Sequence, residues 1–415
     1  MYSSNNIVLS KYSRQPLNAN FIVNLGINRM LHFSIITVVC LLFALIPASA
    51  QWTIMRTDAD ILVKKGARQI YNLQFDSASA NFSKVRELYP DHPAGYFLDA
   101  MVVWWKITTT GSRTKQLDDT FIEKIGKTIE VCDRLIDKNR FDVPALFFKG
   151  GAVGYRGRFY ASREQYLKAA DDGRIGFDLL MECQKLAPQN HDVMLGAGLY
   201  NYFAAVLPEQ YPILKAAMFF LPSGDKKLGI LQLVTAGRLA QYASTEAKVV
   251  LLQIYYQFEK NPTEAIKIAQ DLFTMYPDNA YFQRYLGRCQ VQLGYNFDYE
   301  ATWRDIVRKC IDKKNGSYDL LTAREGLYYV GVGLMNRNQL DSALRYFYKC
   351  DEGGRHLDED VSGFTVKVNI KIGNIYDLQG KRELAIMQYK KVLQWDDRQN
   401  SHSEAKGFID RPYGK

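Results

Sequence analysis

Three stretches of the chain share one pattern, in which an amphipathic helix stops at a proline and a short polar turn leads into a new helix. The prolines are Pro90, Pro188 and Pro277. This punctuation is typical of arrays of helix-turn-helix repeats, in which each unit buries its apolar face only against its neighbours. Arrays of this kind are usually scaffolds that bind other molecules, so the pattern favours binding over catalysis.

The units share a residue spacing as well as a turn. In the first unit, Gly66 is followed by Ala78, Phe82 and Pro90. Offsets of three and four residues place the matching side chains of a unit on one helix face. The other units contain, in order, Ala265, Ala269, Leu272 and Pro277; Gly331, Ala343, Phe347 and Cys350; and Gly373, Tyr376, Gly380, Ala385, Tyr389 and Val392.

This order of small, aromatic, alanine, aromatic and proline positions resembles the tetratricopeptide repeat. The best match lies over residues 372–397, which lack only the final proline. The resemblance implies an all-α superhelical array of antiparallel helix pairs. The three prolines are too far apart for repeats in strict register, so the array is expected to be irregular. An ordinary helical bundle is the alternative, because alanine and phenylalanine at helical spacing also make ordinary cores.

The sequence patterns together divide the chain into five predicted regions. Residues 1–50 are expected to be a signal peptide and 51–140 to be repeat-like hairpins. Residues 141–240 are expected to form an irregular, glycine-rich helical insert, 241–400 further repeats, and 401–415 a polar tail. The chain as a whole resembles exported bacterial repeat proteins.

The N-terminal region carries an export pattern. An apolar run over residues 31–47 is followed by Ala48-Ser49-Ala50, and the only charged residues before it are Lys11, Arg14 and Arg29. Small residues at this spacing predict cleavage after Ala50 and a periplasmic or outer-membrane location. Translation from Met1 or from Met30 stays open, and an uncleaved membrane anchor is the alternative.

The middle of the chain is rich in glycine and ends in an apolar run. Residues 190–235 resemble the eukaryotic family that includes tetratricopeptide repeat protein 39 and its fungal mitochondrial outer-membrane relatives. That resemblance implies a helical repeat fold and no catalytic residue. The apolar run over 213–221 is expected to be a buried helix, or else an exposed segment that touches a membrane; it is too short to cross one.

Few residues point to chemistry. The five histidines are isolated, no metal-binding or nucleophile motif occurs, and the five cysteines after residue 50 do not suggest a disulfide framework. No cofactor and no metal are therefore expected. The net charge of +9 is modest for 415 residues and lacks a basic run with interleaved aromatics, so no nucleic-acid partner is expected.

The expected function is binding of a protein or peptide partner in a groove, with the oligomeric state left open. The first helix of each repeat lines the concave face of such arrays. The groove candidates are Tyr155, Arg156, Tyr200, Asn201, Tyr202, Gln210 and Tyr211. Of the adjacent Trp104 and Trp105, one is expected at an interface or groove, because neighbouring helical residues point in different directions.

Two other functions remain open. A hydrolase or glycan-acting enzyme framed by repeats would need two carboxylates facing each other across a cleft, one with a strongly raised pKa. A membrane-surface protein would use the apolar run 213–221, and burial of Phe219 and Phe220 would argue against it.

Overall fold

The computed structural model describes residues 56–110, 114–211, 215, 222–358 and 360–414. The expected signal peptide and nearly all of the apolar run 213–221, including Phe219 and Phe220, lie outside these residues. Residues 54–415 form one compact unit. Within the described ranges the regular structure is helical, as the sequence predicts.

Seventeen α-helices follow one another in the described chain. The helices of the first half are α1 (Thr57–Tyr71), α2 (Phe75–Leu88), α3 (Ala94–Thr110), α4 (Lys115–Lys138), α5 (Val143–Ser162), α6 (Tyr166–Leu186), α7 (Val193–Gln210) and α8 (Lys226–Leu239). Those of the second half are α9 (Ser244–Gln253), α10 (Pro262–Met275), α11 (Ala280–Gln292), α12 (Asn296–Ile311), α13 (Leu320–Asn336), α14 (Leu340–Leu357), α15 (Gly363–Leu378), α16 (Arg382–Val392) and α17 (Ser401–Asp410). A π-helical turn, Ile254–Phe258, continues α9.

Short polar side chains fix where several helices begin. Asp142 accepts a hydrogen bond from the Ala145 backbone N–H at the start of α5, and Asn261 does the same for Glu264 at the start of α10. Each satisfies a backbone donor that has no partner within its helix. The prediction of helix starts after polar turns therefore has a local cause in the sequence.

Five helix pairs hold one common register. In each pair a glycine of the first helix is followed after seven residues by a turn residue with positive φ, and after sixteen by a residue of the second helix that packs near it. The five glycines are Gly66, Gly157, Gly287, Gly331 and Gly373. The five turn residues are Leu73, Glu164, Gly294, Asn338 and Gly380, with φ between 57° and 73°.

Four of these pairs fill the space beside the glycine with an aromatic ring. A Cβ atom added to Gly331 would lie 2.6 Å from the Phe347 ring, and one added to Gly373 would lie 2.5 Å from the Tyr389 ring. Gly66 meets Phe82 and Gly287 meets Trp303 in the same way. The four rings are fully buried, so the glycine lets a large side chain join two helices closely. This contact makes the chain a tetratricopeptide-like array.

The pair α5–α6 keeps the register but lacks the ring. Gly157 is followed by Glu164 at the turn and by Gly173 at the position of the aromatic residue. The region 141–240, expected to be an irregular helical insert, contains a regular helix pair in its first half. The sequence pattern missed it because the aromatic residue that identifies the other units is absent here. The departure from regularity lies in α7 and α8, whose connection is mostly outside the described residues.

The C-terminal residues form a helix where a polar tail was expected. Helix α17 packs on the last repeat, with the Phe408 ring 5.5 Å from the Tyr389 ring. One guanidinium nitrogen of Arg382 donates to the carbonyl oxygens of Phe408 and Ile409. The last repeat would otherwise expose its apolar face, so α17 acts as a cap. Its first four residues, Ser401 to Glu404, are all polar, which is why the composition suggested a tail.

The first helices of the array also contact its middle. The Asn279 amide donates to the Tyr71 carbonyl oxygen over 2.7 Å, and the Tyr242 hydroxyl donates to Asp60 over 2.7 Å. The Trp105 and Tyr281 rings lie 6.0 Å apart. Helices α1 and α3 therefore meet α9 and α11 across the inside of the superhelix, and the space between them is enclosed on several sides.

Candidate functional site

A cavity of about 770 Å³ lies inside this closed part of the array. Helices α1, α3, α5, α6, α7, α9 and α11 contribute its walls, together with the π-helical turn. Its lining is mainly aromatic and aliphatic. Ligand cavities in proteins commonly measure about 300–1,000 Å³ and have this apolar character with a few polar groups. The cavity is thus the candidate functional site.

One wall of the cavity consists of small residues from α5 and α6. Gly154 and Gly173 line it, and a Cβ atom added to either would meet no other atom within 4 Å. Gly176 differs, because a Cβ there would lie 3.0 Å from the Gly150 carbonyl oxygen. Some glycines therefore let α5 and α6 approach closely, while Gly154 and Gly173 leave space. The cavity exists partly because Gly173 replaces the ring found in the other repeats.

Another part of the lining contains both tryptophans of α3. The Trp104 ring contacts Phe121 and Tyr155, with centroids 5.7 and 5.6 Å apart, whereas the Trp105 ring contacts Tyr281 and Phe282. Both are buried and both line the cavity. The sequence placed one of the two at an interface or a groove, and in the structure both side chains border the cavity. The cavity surrounds α3 widely enough to meet two adjacent side chains.

A buried carboxylate, Glu246 of α9, forms the polar centre of the cavity. The Arg158 guanidinium donates to its Oε1 over 3.2 Å, and the Trp105 indole N–H donates to its Oε2 over 3.2 Å. The Tyr71 hydroxyl lies 3.5 Å from Oε2. The Glu246 side chain is 7% exposed and that of Arg158 is 21% exposed. A charge buried this deeply requires such partners, because desolvation alone would make it costly.

Arg158 also lies over two aromatic faces. Its Cζ atom is 5.0 Å from the centroid of the Trp104 ring and 5.2 Å from that of the Tyr155 ring. Stacking of a guanidinium on electron-rich faces is attractive by roughly 0.5–2 kcal/mol. The two rings and Glu246 together hold the guanidinium in place within the cavity lining.

The tyrosines around this centre remain protonated. Burial raises the pKa of Tyr71 well above its ordinary value, and the negative charge of Glu246 raises it further. The pKa of Tyr155 is raised well above its ordinary value by the same two causes in the same order. Both hydroxyls are therefore neutral hydrogen-bonding groups over the physiological pH range.

A second carboxylate of the lining, Asp192, has a structural role. It accepts hydrogen bonds from the backbone N–H groups of Tyr242 and Ala243 over 2.7 Å each, and from Gln241 over 3.3 Å. Burial raises the pKa of Asp192, and these backbone donors oppose the rise. The contacts join the start of α7 to the start of α9, whose first turn contains Glu246.

Three of the seven predicted groove residues line the cavity. They are Tyr155, Tyr200 and Tyr211. The Tyr200 ring stacks on Phe177 with centroids 4.2 Å apart, and its hydroxyl donates to the Pro222 carbonyl oxygen. The Tyr211 ring lies 4.9 Å from Tyr166 and is 38% exposed. These tyrosines thus form part of an inner surface that α5 and α7 share.

The other candidates are placed differently. Arg156 makes two 2.7 Å hydrogen bonds to Asp172 where α5 packs on α6, because one residue along a helix turns the side chain by about 100° from Tyr155. Asn201 donates to Gln232 of α8 over 2.8 Å, and Tyr202 is fully buried and donates to Glu259. The side chain of Gln210 is outside the described residues.

The sequence pattern missed the polar centre. Glu246 lies in a short helix that has no motif, and nothing in the glycine-rich stretch that contains Arg158 distinguishes this arginine. Tyr71 sits 175 residues from Glu246 in sequence. The available signal was the spacing of Tyr155 and Arg158, which three residues along a helix places on one face.

The described part of the chain shows neither a metal-binding cluster nor a membrane-crossing helix. They contain no group of three or more histidine, cysteine, aspartate or glutamate side chains that could hold a metal ion. In the same part of the chain, no helix combines the length and the apolar character needed to cross a bilayer.

Comparison with known proteins gives likeness at the level of the fold only. No family model and no curated protein matches the sequence. Among solved structures, the chain is similar to Cut9 in the APC/C hetero-tetramer Cut9–Hcn1, with 14% identity, a TM-score of 0.49, and coverage of 83% of this chain and 55% of that one. The chain thus spans about half the length of that protein.

Two further solved structures are similar to most of the chain. A human IFIT1 dimer with m7Gppp-AAAA matches with 13% identity, a TM-score of 0.38, and coverage of 78% of this chain and 68% of that one. The yeast Tom70 matches with 10% identity, a TM-score of 0.36, and coverage of 85% and 88%. These scores are too low to carry an argument about function, and the helix pairing of this chain is seen directly in its own contacts.

Proposed function

We propose that the chain is an exported, tetratricopeptide-like binding protein that holds an apolar segment of a protein partner in the cavity. The observation that carries this proposal is the pair of uncovered glycines, Gly154 and Gly173, in a cavity otherwise lined mainly by aromatic and aliphatic side chains. Together they leave about 770 Å³ lined by apolar side chains. Such a surface gains free energy when another apolar group replaces water in it.

The lining supports binding rather than hydrolysis. A glycosidase needs two free carboxylates on either side of the scissile bond. Glu246 is bonded to Arg158 and Trp105, and Asp192 accepts three backbone hydrogen bonds. Both carboxylates are therefore committed to protein donors, whereas the tyrosines and tryptophans offer the broad contact surface that binding uses.

Cavity filling tests the proposal. In Gly173→Leu and Gly154→Leu, the new side chain enters open space, so the fold is kept and the cavity is reduced. Gly126→Leu in α4 is the matched control, because a Cβ there also meets no atom within 4 Å and the residue is not part of the lining. The mature chain, residues 51–415, would be crosslinked and captured from its native envelope in all four forms.

The proposal expects one partner to be recovered by the wild type and by Gly126→Leu. Its recovery should fall by about tenfold or more in the two cavity variants, since a bulky residue excludes the bound group. Crosslinked peptides should come from one apolar segment of the partner. Equal recovery by all four forms would place the partner elsewhere, and recovery of no protein by any form would contradict a scaffold function.

The location is a separate part of the proposal. It is supported by the apolar run 31–47 and the small residues Ala48, Ser49 and Ala50. Cell fractionation should find the protein in the envelope, and sequencing of its N-terminus should begin at Gln51. A full-length chain in the cytoplasm would contradict export without affecting the cavity.

A further inference from the structure

The charges inside the cavity restrict what can bind there. Among the described residues of the lining, three side chains carry a formal charge: Arg158, Glu246 and Asp192. Asp192 is held by three backbone N–H groups at the start of α9, where the helix dipole also favours a negative charge. The pair that faces a bound group is therefore Arg158 and Glu246.

Arg158 and Glu246 carry opposite charges, lie within ion-pair distance and are largely buried. The Arg158 nitrogen and the Glu246 oxygen are 3.2 Å apart, and the Glu246 side chain is 7% exposed. Because both side chains are largely buried, their charges interact more strongly than charges at the surface do. The pair as a whole is neutral, and each member already has its counter-charge.

A bound group with its own charge would upset this balance. A carboxylate near Arg158 would also lie close to Glu246, and an ammonium group near Glu246 would lie close to Arg158. In either case one like-charge contact and one desolvated charge remain uncompensated, which disfavours binding. An uncharged group avoids both costs.

The pair still has donors to offer. A guanidinium carries five N–H groups, and one carboxylate oxygen of Glu246 uses a single one of them. A carbonyl or hydroxyl oxygen can accept a further hydrogen bond without bringing a charge. On the side of Glu246, the Trp105 indole and the Tyr71 hydroxyl already approach the second oxygen. The free capacity of the centre is thus mainly for donation to a ligand.

We infer that the cavity takes an uncharged, mainly apolar group bearing one carbonyl or hydroxyl oxygen, and that Arg158 donates to that oxygen. The inference rests on the proposed function, which makes the group a segment of a protein partner. An uncharged apolar stretch of polypeptide has this chemistry, because each backbone carbonyl is such an acceptor. Glu246 then sets specificity by cancelling the charge of Arg158.

Three probes of equal chain length test the inference. Decanol, decanoate and decyltrimethylammonium each contain an unbranched ten-carbon chain, which in decanoate includes the carboxylate carbon, and they carry a neutral, a negative and a positive head. Their affinities for the purified mature chain would be measured by calorimetry. Decanol should bind at least about tenfold more tightly than either ion, which corresponds to one charge left uncompensated in the cavity.

Charge variants separate recognition from simple hydrophobicity. In Glu246→Gln the Arg158 charge is no longer cancelled, so decanoate should gain about tenfold or more in affinity relative to decanol. In Arg158→Gln the uncancelled Glu246 should favour decyltrimethylammonium instead. Gly126→Leu should keep the wild-type order. Near-ultraviolet circular dichroism of the tryptophans would confirm that each variant is folded.

The outcomes distinguish this inference from the proposed function. Wild-type affinity for decanoate equal to or above that for decanol, or an unchanged order in Glu246→Gln, would overturn the inference while a partner could still bind. Probe binding in the expected order without any captured protein would support the chemistry and overturn the protein partner in favour of a small molecule. If no probe binds even though capture succeeds, the oxygen-selective site is overturned.

Discussion

The α5–α6 pair and the C-terminal repeats share one residue register but differ in how they fill the space between their helices. In the pairs α13–α14 and α15–α16, the ring of Phe347 or Tyr389 lies directly against the glycine of the first helix. In α5–α6 the equivalent residue is Gly173, which leaves open space. One repeat geometry therefore accommodates either a packed ring or open space at this position, and the open space at Gly173 contributes to the cavity.

The largest expected effect comes from removing a ring on each side of the comparison. Trp303→Ala should lower the free energy of unfolding by about 3–5 kcal/mol, because Trp303 is fully buried and its loss leaves an empty cavity. Trp104→Ala should cost less, since that ring already borders open space. Denaturant unfolding of both variants would measure this. Equal costs would show that the cavity side is packed as tightly as the repeats.

Adding a side chain is the next test. Gly331→Leu should destabilise the fold by about 1–3 kcal/mol, because even a Cβ atom would lie 2.6 Å from the Phe347 ring. Gly154→Leu should leave stability unchanged or raise it by about 0.5–1 kcal/mol, since glycine weakens a helix. The comparison would fail if Gly154→Leu were the more damaging of the two in denaturant unfolding.

A third substitution makes the α5–α6 pair more like the four regular pairs. Gly173→Phe places a ring where the four regular pairs have one, so it should raise stability by about 0.5–2 kcal/mol through cavity filling. The same variant should lose partner capture, because the ring occupies the binding space. Thermal unfolding gives the first result, and the capture experiment gives the second. A ring that lowered stability would mean that α5–α6 had diverged from the shared geometry.

The smallest effect is expected on acidification. Burial by itself would raise the pKa of Glu325, but the charges of Arg284 and Arg288 outweigh it and hold the pKa below its ordinary value of 4.5. A lowered pKa stabilises the fold above the ordinary value, and that contribution is lost as the pH falls through the folded-state pKa. The stability of the wild type should therefore decrease as the pH is lowered from about 4.5. The stability of Glu325→Gln should decrease less steeply over the same range.

Asp192, which lines the cavity, should change the pH dependence of stability in the opposite direction. Its pKa is raised, chiefly by burial, so protonation favours the folded state and offsets part of the acid loss. Asp192→Asn should thus lose more stability than the wild type when the pH is lowered. Denaturant midpoints measured across the acid range would decide, and a flatter profile for Asp192→Asn would contradict this assignment.

Local patterns made the repeats predictable. Gly66 and Phe82, or Gly373 and Tyr389, lie sixteen residues apart in sequence, and helical periodicity alone places them on facing sides of a pair. Pair α5–α6 was harder to recognise because its identifying ring is missing. The sequence did not predict α17 as a cap, because the cap depends on the contact between Phe408 and Tyr389. The polar composition of α17 gives no sign of that contact.

The sequence by itself determined the helices, their turns and the pairing of neighbours, because these depend on residues within about one repeat of each other. Only the tertiary structure decided the site. Tyr71, Arg158 and Glu246 are brought together because the array curves until its first helices meet its middle. That curvature is the sum of small packing angles over many helices, and no local pattern records the sum. The cavity and its neutral ion pair therefore belong to the fold as a whole.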